Sequence, residues 1–203
     1  MMANIVIEFF LKGGPVMYPI LLCALVAVAV VGERSFWWMR EASRRDPQKL
    51  EEILAALENG DVPAATKIAE GSLDPVIRMI YHGLNHVHTS LQGALELGAG
   101  IELERAGRFL TVMDTLVTLS PLLGLLGTVT GLMHAFLSVG SAELSVQAVT
   151  GGIGEALIAT ACGLGIAIFS LVPFNYFNGR VARLQFDLEA AATNVELMVH
   201  QPK

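Results

Sequence analysis

Charge is missing from three long stretches of this 203-residue chain, and that absence limits its folds more than any motif does. Residues 13–32 (GGPVMYPILLCALVAVAVVG) hold no Asp, Glu, Lys or Arg, and neither do residues 115–142 or 156–179. About 20 apolar residues are what a helix needs to cross a hydrocarbon core of about 30 Å. Apolar residues make up 53% of the chain and charged residues 16%, against about 25% charged in ordinary globular proteins. A buried helical core in a soluble protein would need polar faces that these segments lack. The expected fold class is therefore an all-α membrane protein with three transmembrane helices. A net charge of −6 excludes a general nucleic-acid binder held by phosphate neutralisation. Cys23 and Cys162 are the two cysteines, and both lie in apolar runs. That excludes a disulfide scaffold and a Cys-based zinc site.

Between residues 115 and 179 only Glu143 and Glu155 carry formal charge, so the last two runs read as a hairpin of spanning helices turning near residues 138–145. The first run contains Ala27-Val28-Ala29, which resembles a signal-peptide cleavage site. Its head carries both a Glu and a Lys, however, and the positive charges follow it, from Arg34, with Trp37 and Trp38 placed as an interfacial belt. A retained anchor is the expectation. Of thirteen Lys and Arg, Lys12 alone precedes the first span, nine fall between Arg34 and Arg108, three follow the third span, and the hairpin turn has none. The positive-inside rule then puts the N-terminus and the turn outside and the middle region and C-terminus in the cytoplasm. The expected map is an N-terminal interfacial segment 1–14, spans 15–38, 111–138 and 149–178, a cytoplasmic helical region 39–110, a turn 139–148 and a cytoplasmic C-terminal helix 179–203.

In the soluble portion, Asp46-Pro47, Asp61 with Pro63, and Asp74-Pro75 each pair an N-cap with a proline in the first helical turn. Asn59-Gly60 and Gly71 supply stops. The third of these helices is expected to run from Val76 with little interruption into the second span. Its glycines suggest close packing against neighbours. A stripe of Val181, Leu184, Leu188, Ala191, Val195 and Met198 makes the tail helical. Long cytoplasmic extensions of the spanning helices would give a bundle longer than the membrane is thick. His82 and His86 stand at i, i+4, close to His88, but nothing completes a metal site, and a solvated helix face accounts for them. Gly151-Gly152-Ile153-Gly154 is preceded by no strand and followed by no Lys, and no nucleotide or nucleophile motif occurs. Neither an enzyme active site nor a cofactor is expected.

Glu155 is the residue with functional content. An acid at membrane depth costs several kcal/mol unless it faces protein or water, which makes it a functional candidate; the alternative is an interfacial Glu favoured by a helix N-terminus. At about 100° per residue, Glu155, Ala156, Ala159, Thr160, Gly163, Ala167 and Ser170 fall on one side of the third span, opposite Leu157, Ile158, Leu164, Ile168 and Leu171. In the second span Gly124, Gly127, Thr128 and Gly131 are the small residues, and Gly127 with Gly131 forms a GxxxG pair that lets helices approach closely. Such small faces would pack helices or line a pore. Thr hydroxyls often bond their own backbone, but together with Glu155 they could line a narrow wet path for a proton.

Residues 120–136, SPLLGLLGTVTGLMHAF, and 151–178, GGIGEALIATACGLGIAIFSLVPFNYFN, resemble the paired signature of the MotA/TolQ/ExbB proton-channel family, nearest to its ExbB and TolQ branch. The resemblance implies a proton path near the threonine of the GTV motif, here Thr128, and near the Glu and Thr of EALxATA, here Glu155 and Thr160. It implies a homopentamer in a bacterial inner membrane, built around the helices of an ExbD- or TolR-like single-span partner whose aspartate carries the proton. Work would pass to a TonB- or TolA-like transducer. Asp114 and Asn175 are candidates for the cytoplasmic mouth, although Asp114 could instead pair with Arg105 or Arg108. Phe169-Ser170 stands where many relatives carry a proline, with Pro173 downstream, so any kink is expected to be displaced. A proton descending about 150 mV releases roughly 3.5 kcal/mol, enough to bias a conformational step. A MotA-like stator subunit is one alternative, although the chain lacks the large cytoplasmic insertion expected there. A passive oligomeric scaffold that uses the GxxxG face only for assembly is the other.

Overall fold

The computed structural model describes residue 10, residues 12–139 and residues 146–199. Most of the expected N-terminal segment, the centre of the expected turn and the last four residues of the expected C-terminal helix lie outside the described residues. Seven helices follow in order: α1 (Met17–Ala42), α2 (Pro47–Glu58), α3 (Val62–Ala69), α4 (Pro75–Leu84), α5 (Val87–Gly107), α6 (Leu110–Val139) and α7 (Val146–Val199). Three stretches are long and apolar enough to cross a membrane: α1, the portion of Thr89–Leu137 that ends in α6, and the first half of α7. Two compact units form. One contains the residues up to Glu33 and Phe109–Asn175; the other contains Arg34–Arg108 and the residues from Tyr176 onward.

The short helices of the second unit start where side-chain caps dictate. Carboxylates of Asp46, Asp61 and Asp74 accept from the backbone N–H of Lys49 (3.1 Å), Ala64 (2.9 Å) and Val76 (2.8 Å), each with a proline in the first turn. Gly60 and Gly71, in the left-handed region at φ 78° and 69°, follow α2 and α3 as C-terminal stops. The expected uninterrupted helix from Val76 is broken three times. Asn85 ends α4, its side-chain amide donating to the Tyr81 carbonyl at 2.9 Å, and Ser90 is extended within α5. Before α6, Arg108 leaves helical geometry and Phe109 sits at φ 64°, a conformation L residues rarely adopt. No Pro flags these breaks, which is why helical periodicity carried through them.

Ile53, Leu57, Ala65, Ala69, Ile77, Met79, Ile80 and Leu95 are buried in this unit, as are Leu184, Leu188, Ala191 and Val195 of the α7 tail. Within this apolar packing lies a charged cluster. Arg78 donates to Glu102 (3.1 Å through Nε, 2.5 Å through Nη2) and to Glu41 (3.3 Å). Arg105 also bonds Glu102 and Arg44 bonds Glu41, both at 3.0 Å, and Arg34 donates to the Arg105 carbonyl at 3.2 Å. Glu41 and Glu102 are buried, so each carboxylate is tolerable only because two guanidiniums meet it.

In the first unit α6 and α7 approach backbone to backbone. A Cβ on Gly131 would lie 2.8 Å from the Gly152 carbonyl oxygen, and one on Gly124 would lie 2.9 Å from the Thr160 Cα. One on Gly163 would strike the Ser120 carbonyl and stand 3.1 Å from the Gly124 backbone. The start of α1 lies against this pair: Val16, Met17 and Ile20 cluster with Ala159, and Cys23 and Ala27 with Leu116. Pro121 and Pro173 lie inside α6 and α7. They remove the N–H groups that would bond the Val117 and Phe169 carbonyls.

Each unit yields a stability test in detergent. Arg78→Met should lower unfolding free energy by about 3 kcal/mol, because it leaves two buried carboxylates under-compensated; thermal or chemical denaturation reads the loss. Gly163→Ala should destabilise by about 1–3 kcal/mol through overpacking against backbone that cannot yield. Gly165→Ala, with nothing within 4 Å of the new methyl, should leave the melting temperature of the unassembled subunit unchanged.

Candidate functional site

Glu155 lies nine residues into α7, half-buried, with neither an ion pair nor a hydrogen bond among the described residues. Its carboxyl group packs against Gly14, just before α1: a Cβ there would fall on the carboxylate, 2.5 Å from Cδ. Gly14 also has φ 74°, a backbone conformation that favours glycine, and a methyl there would require the Glu155 carboxyl group to move. The Gly14 carbonyl accepts the Met17 N–H at 3.1 Å, and this turn starts α1 beside the acid. Gly13 borders Ile158 in the same way, a Cβ there standing 3.2 Å from its Cγ2.

Thr160 is turned the other way. Its hydroxyl donates to the Gly124 carbonyl at 2.8 Å, bonding α7 to α6. Five residues at roughly 100° each separate Glu155 and Thr160 by about 140° around the helix. The stripe between them, Ala156, Ala159, Gly163, Ala167 and Ser170, is buried. Glu155 and Thr160 thus border this stripe on opposite sides, one toward the lead-in to α1 and the other toward α6. Thr128 is half-buried and donates to the Leu125 carbonyl of its own helix at 2.6 Å. That is the local bonding that threonines in membrane helices often adopt.

Gly124, Gly127, Gly131, Ala156, Ala159 and Gly163 meet one another between α6 and α7 of a single chain. Gly152 and Ser120 belong to the same contact. Asp114 is exposed near the start of α6, its backbone carbonyl accepting from the Thr118 hydroxyl at 3.3 Å, and Asn175 is exposed on α7. No described contact brings either to Glu155. The His82 and His86 rings stand 5.0 Å apart, and His86 Nδ1 lies 2.9 Å from the His82 carbonyl oxygen. Among the described residues no three His, Cys, Asp or Glu side chains gather as a metal site.

Gly14, Gly152 and Ser120 carry little mark of these contacts in the sequence. Gly14 was visible only as the first span's opening Gly-Gly-Pro, which gives no hint that it meets an acid some 140 residues later. Gly152 lies in a Gly-rich segment weighed for phosphate binding rather than packing. Ser120, like the Ser170 expected on the small side of the third span, is fully buried, with a hydroxyl that lacks a partner among the described residues; only helical phase marks it.

Comparison with known proteins bears on this arrangement. A family model described as the MotA/TolQ/ExbB proton channel family matches residues 72–190, which include α5, α6 and the Glu155 region of α7. The ExbB-like biopolymer transport protein 1 of Synechocystis sp. is 36% identical over 96% of this chain and 79% of its own length. The biopolymer transport protein ExbB of Neisseria gonorrhoeae is 38% identical over 46% of this chain and 43% of its own. The Tol-Pal system protein TolQ of Haemophilus influenzae is 39% identical over 46% of this chain and 42% of its own. With the family model covering more than half its length, and a relative at this identity matched almost end to end, the chain belongs to the MotA/TolQ/ExbB proton channel family, in its ExbB/TolQ branch.

Proposed function

We propose that this protein is the proton-channel subunit of an ExbB/TolQ-like inner-membrane complex, in which Glu155 takes up and releases the proton. The observation that carries this reading is the setting of Glu155. It is the sole Asp, Glu, Lys or Arg between residues 146 and 179, and no described cation neutralises it. An acid kept at membrane depth without an ion partner is a functional candidate by its cost alone. Thr160 and Thr128 are proposed to border the path, and Asp114 and Asn175 its cytoplasmic mouth.

Within this reading the subunit is a homopentamer, with the N-terminus periplasmic and the C-terminus cytoplasmic, enclosing an ExbD- or TolR-like single-span partner. Proton flow through the assembly would energise a TonB- or TolA-like transducer and, through it, an outer-membrane process such as transport. Two features support assembly. Gly151, Gly154 and Gly165 of α7 have open space where a Cβ would stand, and small uncovered positions are where a further helix backbone can come close. Leu122, Leu125 and Val129 of α6 are half or more exposed, a surface suited to lipid or to an adjacent subunit. The small faces of α6 and α7 are spent on each other, so the proposed path runs along their borders, past Glu155 on one side and Thr160 on the other.

The test reconstitutes the chain with its ExbD- or TolR-like partner in proteoliposomes and follows proton flux together with the assembled mass. Glu155→Gln should abolish flux and leave the assembly intact. Full flux in Glu155→Gln would make the protein a scaffold and end the proposal. Gly14→Ala should lower flux without removing any titratable group, because the new methyl displaces the carboxyl group. Thr160→Val should lower stability by about 0.6 kcal/mol, and at most about 1.7, the range for such bonds between membrane helices. Thr160→Ser should restore it, as read by thermal denaturation.

A further inference from the structure

The second unit holds a pocket of about 220 Å³ lined by Trp38, Glu41, Ala42 and Arg45 from the end of α1 and the residues after it, Pro75 at the start of α4, and Arg180, Arg183, Leu184 and Asp187 of α7. Three guanidiniums face two carboxylates, and both carboxylates are already engaged. Glu41 bonds Arg44 and Arg78, and Asp187 bonds Arg45, which also reaches Asp74 at 3.5 Å. Arg180 and Arg183 are in no ion pair or hydrogen bond among the described residues; Arg180 stacks over the Trp38 ring at 5.2 Å. Trp38 itself is 7% exposed, and its indole N–H is buried without an acceptor among the described residues. An unmet buried donor is costly, and here it belongs to a residue that lines a cavity with two arginines that no described carboxylate pairs.

We propose that this pocket binds a phosphate-bearing anion, held by Arg180 and Arg183 and accepting a hydrogen bond from Trp38 Nε1. Guanidinium forks match phosphate oxygens in charge and geometry. The volume is below the roughly 300–1,000 Å³ of pockets that enclose drug-sized ligands, so a headgroup-sized oxyanion fits better than a nucleotide. Position along the chain favours a phospholipid as the source. Arg180 directly follows the charge-free run that ends at Gly179. Trp38 comes six residues after Gly32, about 9 Å of helix rise. Both flank apolar spans at the level where headgroups lie, and basic residues beside a span attract anionic lipid. A bound phosphate would tie the end of α1 to α7 where the Arg45–Asp187 ion pair already joins them. The proposal goes beyond the proton pathway and does not depend on it.

The experiment uses the full chain in nanodiscs. Native mass spectrometry compares retention of phosphatidylglycerol with that of phosphatidylcholine, and inorganic phosphate is titrated while the Trp38 indole N–H signal, assigned with Trp38→Phe, is followed by NMR. Wild type should retain phosphatidylglycerol preferentially. Arg180→Gln/Arg183→Gln should erase the preference, Trp38→Phe should weaken it about tenfold for one lost hydrogen bond to an anion, and Arg40→Gln, outside the pocket, should leave it unchanged. A Trp38 shift with inorganic phosphate alone, lost in the double variant, identifies a free phosphate compound as the ligand. A shift with phosphatidylglycerol only identifies the lipid. Phosphatidylglycerol retention that is equal in wild type and the double variant, together with no Trp38 shift under either probe, overturns the proposal. So does an equal fall in Arg40→Gln, which would reduce the effect to general positive charge.

Discussion

Two helix backbones touching with nothing larger than alanine methyls and a serine or threonine hydroxyl between them set the terms for the rest of the first unit. Gly124, Gly131, Gly152 and Gly163 are the positions where a Cβ would meet main-chain atoms of the facing helix at 3.1 Å or less. This closeness lets the Thr160 hydroxyl reach the Gly124 carbonyl. Lipid is as apolar as leucine, so membrane helices associate through such contact and hydrogen bonding rather than through hydrophobic exclusion. Once the small residues are committed to this contact, the bulky ones must face outward, as the exposed Leu122, Leu125, Leu157 and Ile168 do. The polar groups are then left at the borders. Glu155 and Thr160 owe their opposite surroundings to that one packing choice.

The two units solve the problem of internal charge in opposite ways. In the second, Glu41 and Glu102 are buried and each is met by two arginines, a geometry that offsets the desolvation of both signs. In the first, Glu155 is left half-buried against a glycine. Pairing stabilises a carboxylate by fixing it in the ionised form. Glu155 has no counter-charge among the described residues, and that contrast with Glu41 and Glu102 is what sets it apart.

Much of this was legible because charge and proline leave strong local marks. The spans follow from three uncharged runs, and α2, α3 and α4 start at the Asp residues that cap them, each with a proline beside it. Close approach was legible from Gly127 and Gly131, but not its direction, since a GxxxG face fits a neighbouring subunit as well as a neighbouring helix. The breaks at Ser90 and Phe109 were hidden. A leucine-rich segment with scattered glycines keeps its helical phase through one extended residue, and nothing about Phe announces a positive φ. The meeting of Gly14 with Glu155 was hidden for another reason. It joins residues far apart in sequence through a backbone atom, and neither residue type carries information about the other.

The acid at that contact is what distinguishes the proposed channel from a scaffold. A scaffold needs the small faces of α6 and α7, and any apolar residue at position 155 would serve it better than a carboxyl group, which costs free energy at membrane depth. Here the acid and the glycine meet: the glycine takes the left-handed φ of the turn that opens α1, and the carboxyl group fills the space where a side chain would have been. The glycine follows from its backbone conformation, so the cost of the acid alone supports the proposed task.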